Sequence, residues 1–151
     1  MTISLELEVP IGRTADDVFA HLTAVERWPE WLIASGIVRV EVLDDGVLAE
    51  GSRLRIDQRV AGRSASLDGR VTALDAPHRF AVTGRDKDGI TVDIDATLVP
   101  DGPTTRLGWH LRVGLPLRYR VLESMATPQV RRAAALDLEA FRQRLESVAE
   151  A

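Results

Sequence analysis

The chain has 151 residues, of which 45% are hydrophobic and 28% are charged, and its formal net charge is −4; these values are typical of one globular domain, which we expect over residues 1–151. The absence of cysteine excludes disulfides, thiolate nucleophiles and cysteine-based zinc sites, and the negative charge disfavours nucleic-acid binding. No run approaches roughly 18 apolar residues and no basic stretch precedes an apolar block, so we expect no membrane span, no signal peptide and a cytoplasmic location.

The chain begins with a predicted strand and two predicted short helices. Residues 3–9 alternate between apolar and polar side chains, which is the pattern of a half-buried strand that ends at Pro10. Thr14 has an acidic residue three positions later, as in a capping box, and predicts the start of the first helix. The second helix is predicted to begin at Pro29, because proline suits the first helical position, and to end near Gly36.

Residues 37–113 predict six further strands, separated by turn-forming pairs rich in aspartate, glycine and proline. Apolar and charged side chains alternate along these strands, which predicts an antiparallel sheet with one apolar face and one charged face. Leu54, Ile56 and Gln58, for example, alternate with arginines and an aspartate. The same alternation assigns several small residues to the apolar face, where they would leave volume unfilled: Gly69, Ala73 and Ala96.

The last third of the chain predicts one long helix. Thr127 and Pro128 are typical of an N-cap and a first helical position. Apolar residues then recur every three or four positions as far as Val148, which predicts a helix of about twenty residues with one apolar stripe. We expect this stripe to cover the apolar face of the sheet. The segment before it, residues 114–120, is predicted to be a loop.

Short motifs spread along nearly the whole chain resemble those of the START and polyketide cyclase superfamily, also called SRPBCC or Bet v 1-like. In chain order the motifs are Val9–Pro10, Val18–Phe19, Arg27–Trp31 (RWPEW), Glu50–Arg53 (EGSR), Asp75–Arg79 (DAPHR), Gly102–Arg106 (GPTTR) and Phe141–Glu146 (FRQRLE). The resemblance implies an α+β helix-grip fold, in which a seven-stranded antiparallel sheet wraps round a long C-terminal helix and two short helices follow the first strand. It also implies an internal pocket between sheet and helix.

Candidate ligand-binding residues follow from the apolar face and from the positions that the resemblance places near the pocket mouth. Gln58 is the one polar side chain assigned to that face, so it must meet a protein group, a water or a ligand. Each tryptophan has a second interpretation as ordinary core, and Tyr119 as a surface residue. The predicted set is Trp28, Trp31, Gln58, Phe80, Ile94, Trp109, Leu111, Tyr119, Leu122 and Met125.

The sequence predicts neither catalytic residues nor a cofactor. The three histidines have no metal-ligand spacing, no glycine-rich phosphate loop is present, and most strand carboxylates fall on the outer face. The favoured function is binding or transport of a small hydrophobic molecule, such as a lipid, a polyketide or another aromatic metabolite. Two alternatives stay open, a polyketide aromatase/cyclase-like enzyme and a protein-interaction module that uses the charged face. A homodimer is compatible with the sequence.

Overall fold

The computed structural model describes residues 2–60 and 62–149. Two α-helices, α1 and α2, and two 3-10 helices, η1 and η2, accompany seven strands. The helices are α1 Ala15–Leu22, η1 Val25–Glu30, η2 Leu117–Leu122 and α2 Glu123–Ala149. The strands are β1 Thr2–Ile11, β2 Ile37–Val42, β3 Arg53–Val60, β4 Arg63–Asp75, β5 Arg79–Arg85, β6 Thr91–Asp101 and β7 Thr104–Gly114.

The strands form one antiparallel sheet in the order β1-β7-β6-β5-β4-β3-β2. Strands β2 to β7 follow each other as hairpins, and β1 pairs with β7, so β1 and β2 lie at opposite edges of the sheet. The segment from α1 to η1 must therefore cross from one edge to the other. The predicted helix-grip fold is confirmed, with seven antiparallel strands, short helices after β1 and one long C-terminal helix.

The inner face of the sheet and one side of α2 form the core. Leu54 and Ile56 on β3 are buried, whereas Arg53 and Arg55, which alternate with them, are exposed, as the sequence predicted. Leu138 and Phe141 on α2 are at most 3% exposed. Burial of an apolar side chain of this size contributes roughly 1.5–3 kcal/mol, so this layer is a main source of stability.

Five aromatic rings close one end of the core. The Trp31 ring lies 4.4 Å from the Phe141 ring and 6.0 Å from the Trp109 ring, measured between centroids. Trp28 contacts both Trp31, at 6.3 Å, and Phe80, at 6.2 Å. The Trp28 indole N–H donates to the Leu22 carbonyl at 2.9 Å, so that its polar atom is satisfied inside the core.

The second short helix differs from its prediction. It is a 3-10 helix that begins at Val25 rather than at Pro29, so the proline lies near its end. Because a 3-10 helix repeats every three residues, Val25 and Trp28 share one side, and both are buried. Thr14, by contrast, is the N-cap of α1 as predicted, with its hydroxyl oxygen accepting from the Asp17 N–H at 3.3 Å.

The long helix begins four residues before its predicted N-cap. Helix α2 starts at Glu123, and the Thr127 hydroxyl donates to the Glu123 carbonyl at 2.8 Å instead of capping a helix end. The segment before it, predicted as a loop, contains η2. Proline is accommodated in the second turn of α2, where the sequence pattern favoured a helix start.

A β-bulge corrects one predicted face of β4. The register between β4 and β5 shifts between Val71 and Ala73, so that Ala73 pairs with Ala81 and Leu74 pairs with the inward-facing Phe80. Directly paired residues share a face, which places Ala73 on the outer face rather than the inner one. In the described part of the chain no helix is both long and apolar enough to cross a membrane.

Candidate functional site

A cavity of about 380 Å³ lies between the inner face of the sheet and α2. The α2 part of its wall runs from Ala126 to Leu138, roughly 18 Å along the helix at 1.5 Å per residue. Small side chains leave this space open, because Gly84 on β5 and the alanines at 126, 133 and 134 on α2 do not reach across it. The rest of the wall is mainly aliphatic and comes from β2 to β7, from η1 and the turn after it, and from the β5–β6 turn.

The two ends of the cavity differ in exposure. At one end the wall contains Trp28, Trp109 and Leu138, which are at most 3% exposed. At the other end it contains Val60, which is 50% exposed, together with Ile90 and the first turns of α2. The aromatic end is therefore closed, and the mouth lies where β3, the β5–β6 turn and the start of α2 approach one another.

Asp137 is a buried carboxylate in the cavity wall. It is 2% exposed, and its oxygens Oδ1 and Oδ2 accept from the backbone N–H groups of Ala34 at 2.8 Å and Ser35 at 2.9 Å. Burial raises the pKa of Asp137 above its ordinary value, and the hydrogen bonds from Ser35 and Ala34 oppose that shift. Within the described residues it forms no ion pair with arginine, lysine or histidine.

Gln58 lies on the same side of the cavity and contacts the same segment. Its amide nitrogen Nε2 donates to the Ser35 carbonyl at 2.9 Å. Asp137 and Gln58 therefore both hold the turn between η1 and β2, one through its N–H groups and the other through a carbonyl. Gln129, on the mouth side of α2, is the other amide in the wall.

The wall carries almost no charge. Asp137 is its only ionisable side chain, and neither arginine, lysine nor histidine occurs among the described residues that line it. The histidines lie elsewhere, with His21 bonded to the Asp17 carbonyl on α1 and His110 bonded to Ser4 on the outer face. In the described part of the chain, no group of three or more acidic, histidine or cysteine residues could hold a metal ion.

The structure brings several of the predicted site residues together. Trp28, Gln58, Ile94, Trp109 and Leu111 all line the cavity. They come from η1, β3, β6 and β7, so both the sheet and the short helix supply them. Gln58, Ile94, Trp109 and Leu111 face inward, as the alternation predicted, and Trp28 had been placed near the pocket by the resemblance. That these residues bind a ligand stays a prediction.

The remaining predicted residues lie outside the cavity wall. Phe80 is buried behind Trp28, and Trp31 faces a separate surface cleft of about 220 Å³ together with Phe141. Tyr119 lies in η2, where the Arg118 guanidinium carbon is 5.1 Å from its ring centroid. The other two are on the surface near the mouth: Leu122 is 48% exposed and Met125 is 69% exposed.

The sequence analysis missed Asp137. A signal was present, because Asp137 lies three residues after Ala134 and four before Phe141, inside the apolar stripe of α2. A charged residue within such a stripe is rarely buried unless it has hydrogen-bond partners. Those partners, Ala34 and Ser35, are about 100 residues away in the chain and could not be identified from the pattern.

Polar contacts hold η2 beside the cavity mouth. Arg118 Nη2 donates to the Asp88 carbonyl at 2.6 Å and lies 3.7 Å from the Asp88 carboxylate, which also pairs with Arg63. The buried Asp86 carboxylate accepts from the N–H groups of Asp88 and Ile90, both at 2.9 Å. The β5–β6 turn is thus rigidly held while it contributes Ile90 to the wall.

Comparisons with known proteins agree with this architecture. The model of a family described as "Polyketide cyclase / dehydrase and lipid transport" matches residues 2–146. An uncharacterized protein of Mycobacterium tuberculosis is 28% identical over 138 residues, which cover 91% of this chain and 95% of that protein.

Solved structures share the fold at low sequence identity. The Zhui aromatase/cyclase of a Streptomyces species superimposes with a TM-score of 0.77 at 18% identity, covering 97% of this chain and 94% of that one. A START superfamily protein of Mycobacterium smegmatis gives a TM-score of 0.72 at 18% identity, covering 96% and 98%. The family model spans both the cavity-lining sheet and nearly all of α2, and the chain therefore belongs to the polyketide cyclase/dehydrase and lipid transport family.

Proposed function

We propose that the protein binds a small, mainly apolar molecule in the cavity between the sheet and α2. The observation that carries this proposal is a cavity of about 380 Å³ with an apolar wall and a few polar groups gathered on one side. Small-molecule sites have this size and composition, with apolar surface for affinity and few polar groups for orientation. The description of the family, which includes lipid transport, supports the same class of ligand.

The aromatic end supports binding rather than simple core packing. Phe80, Trp31 and Phe141 pack the space beyond Trp28 and Trp109, so the core is complete without filling the cavity. The small side chains along α2 keep the cavity open over three helical turns. A protein interior normally has few voids larger than a water molecule, and each such void lowers stability. An occupied cavity would recover those contacts.

A plug in the cavity tests this proposal. Ala133 lines the wall on α2, whereas Ala135, two residues later, is exposed. Ala133→Phe should lower the affinity for the neutral dye N-phenyl-1-naphthylamine at least about tenfold, because the new ring occupies the ligand's volume. Ala135→Phe, the matched control, should bind the dye like wild type. Equal dye fluorescence titrations for all the proteins would contradict cavity binding.

A cyclase-like enzyme is the second candidate function. The observation that favours it is Asp137, a carboxylate in the wall whose raised pKa suits proton transfer. The fold is also that of an aromatase/cyclase, which by itself carries no activity to this chain. The test is a polyketide-synthase reaction run with and without the protein. An unchanged product spectrum would remove this candidate and leave ligand binding intact.

A further inference from the structure

The one charged group among the described residues of the cavity wall is a hydrogen-bond acceptor. Asp137 presents a carboxylate, and each of its two oxygens already accepts one backbone N–H. A carboxylate has about four acceptor positions, so at least one remains after these two backbone bonds and a further hydrogen bond from the Ser35 side chain. The wall residue is held in place by Ala34 and Ser35 and needs no rearrangement to accept from an occupant.

Gln58 adds a second acceptor on the same side. One N–H of its amide nitrogen is engaged with the Ser35 carbonyl, and the side-chain oxygen Oε1 is available as an acceptor beside the second N–H. Both backbone polar groups of Ser35 form hydrogen bonds, because its N–H donates to Asp137 and its carbonyl accepts from Gln58. An occupant that approaches this side of the cavity therefore meets two acceptors, the Asp137 carboxylate and the Gln58 amide oxygen.

We propose that the cavity selects apolar molecules that carry a hydrogen-bond donor, a hydroxyl or an amine, and that Asp137 accepts this hydrogen bond. The inference rests on the proposed function and narrows its ligand class. A hydrogen bond to a charged acceptor in a dry site is stronger than one between neutral groups, so the donor contributes affinity as well as orientation.

The same wall disfavours anionic ligands. A fatty-acid or aryl carboxylate would bring a second negative charge beside Asp137, and no arginine, lysine or histidine among the described wall residues would neutralise it. Like charges in a site of low polarity repel strongly. The ligand class is therefore an alcohol, a phenol, an enol or an amine of a hydrophobic molecule, and not a free acid.

Matched naphthalenes test the proposal on the unmodified protein. The probes are 2-naphthol, 2-methoxynaphthalene, 1-naphthylmethylamine and 2-naphthoate, titrated by calorimetry near pH 7. We expect 2-naphthol to bind at least about tenfold more tightly than 2-methoxynaphthalene, which has no donor. The amine distinguishes cationic from neutral donors, and 2-naphthoate should bind more weakly than the ether. Burial of an unpaired hydroxyl is unfavourable, so without an acceptor the order of naphthol and ether would be reversed.

The Asp137→Asn variant connects the selectivity to one residue. Its ratio of naphthol to ether affinity should fall to within about threefold, because the charged acceptor is lost. Glu139→Gln is the control, since it removes the same charge from α2 at a side chain that pairs with Arg142. This control should keep the wild-type ratio.

The outcomes separate this inference from the proposed function. Equal binding of ether and naphthol to the wild type, or binding of naphthoate as tight as that of the ether, would overturn the donor selectivity and leave cavity binding intact. Failure of all four probes to bind would overturn both. The comparison of ligands on the wild type needs no variant, so it stands even if Asp137→Asn does not fold.

Discussion

The closed end of the cavity and its mouth are held together by different kinds of contact. At the closed end, the Trp31 and Phe141 rings lie 4.4 Å apart between centroids, tilted by 39°, and both side chains are at most 2% exposed. At the mouth, Leu117 is 79% exposed, Val121 is 81% exposed, and η2 is attached mainly by the polar contacts of Arg118. Tight apolar packing gives cooperative stability, whereas a segment with few buried contacts opens at lower free energy. We therefore expect stability and ligand access to belong to opposite ends.

Trp31→Ala should have the largest effect on this comparison. The Trp31 ring lies outside the cavity wall and contacts Phe141, Trp109 and Trp28, so its removal leaves a void in the closed end. We expect the free energy of unfolding to fall by about 3–5 kcal/mol in urea titrations. Leu117→Ala at the mouth should change it by less than about 0.5 kcal/mol. Similar losses for both variants would show that the two ends do not differ in their contribution to stability.

Asp137→Ala should have the next largest effect on the free energy of unfolding, and this residue lies between the two ends of the cavity. The substitution removes the acceptor for the N–H groups of Ala34 and Ser35, which hold the turn before β2 against α2. We expect a loss of about 1–3 kcal/mol in the free energy of unfolding, measured by urea titration. Ala135→Gly, at an exposed site of the same helix, is a control with an expected loss of about 1 kcal/mol. A neutral effect of Asp137→Ala would mean that these hydrogen bonds do not hold the turn.

The pH dependence of stability should reveal in which direction the titration of Asp137 changes the free energy of unfolding. Burial raises its folded-state pKa above the ordinary 3.8, so the folded protein holds this proton more tightly than the unfolded chain. The stabilising contribution of this proton is complete below pH 3.8, the ordinary pKa. It is lost as pH rises through the pKa of Asp137 in the folded protein. Relative to Asp137→Asn, the wild type should therefore lose stability with rising pH across this window, measured by urea titrations at several pH values.

Glu30 supplies a control of opposite sign. Hydrogen bonds from Arg27 and Arg144 lower its pKa from 4.5 to about 2, so its contribution is present above pH 4.5 and is lost as pH falls towards 2. Relative to Glu30→Gln, the wild type should gain stability with rising pH. Because this network is on the surface, added salt should reduce the difference. A difference of the same sign for both carboxylates would contradict the assignment for Asp137.

The sheet was predictable from the sequence because its alternation is repeated in every strand. Leu54 and Ile56 are buried and their neighbours are exposed, as a period of two requires. The prediction failed at Ala73, because a bulge inserts one residue and reverses the parity beyond it. A bulge depends on how β4 meets β5, and the sequence of one strand does not contain that information.

The cavity wall was more predictable where the sheet supplies it than where helices do. Trp28 and Trp31 occur three residues apart in one motif, yet only Trp28 lines the cavity. The backbone leaves η1 at Trp31, where φ is −131°, and the ring packs against Phe141 instead. Met125 directly precedes the wall residue Ala126 on α2, so it points about 100° away from the cavity. The direction of each of these side chains depends on where its helix begins or ends. A proline near each helix made that boundary ambiguous in the sequence.

A small effect on stability, and the effect most specific for the mouth, is expected from Arg118→Ala. Its contacts with Asp88 join η2 to the turn that contributes Ile90 to the wall, and its side chain is 58% exposed. An exposed ion pair contributes about 0–1 kcal/mol, so the unfolding curve should hardly move. Loss of the contact should raise the rates of ligand association and dissociation together, by roughly threefold or more in stopped-flow dye binding. The Kd should stay within about twofold, because the cavity wall itself is unchanged. Arg53→Ala removes an exposed ion pair with Asp44 at the opposite end of β3 and should leave both rates unchanged. If Arg118→Ala also left them unchanged, ligands would have to pass through another part of the surface, and the contrast between a stable end and an access end would fail.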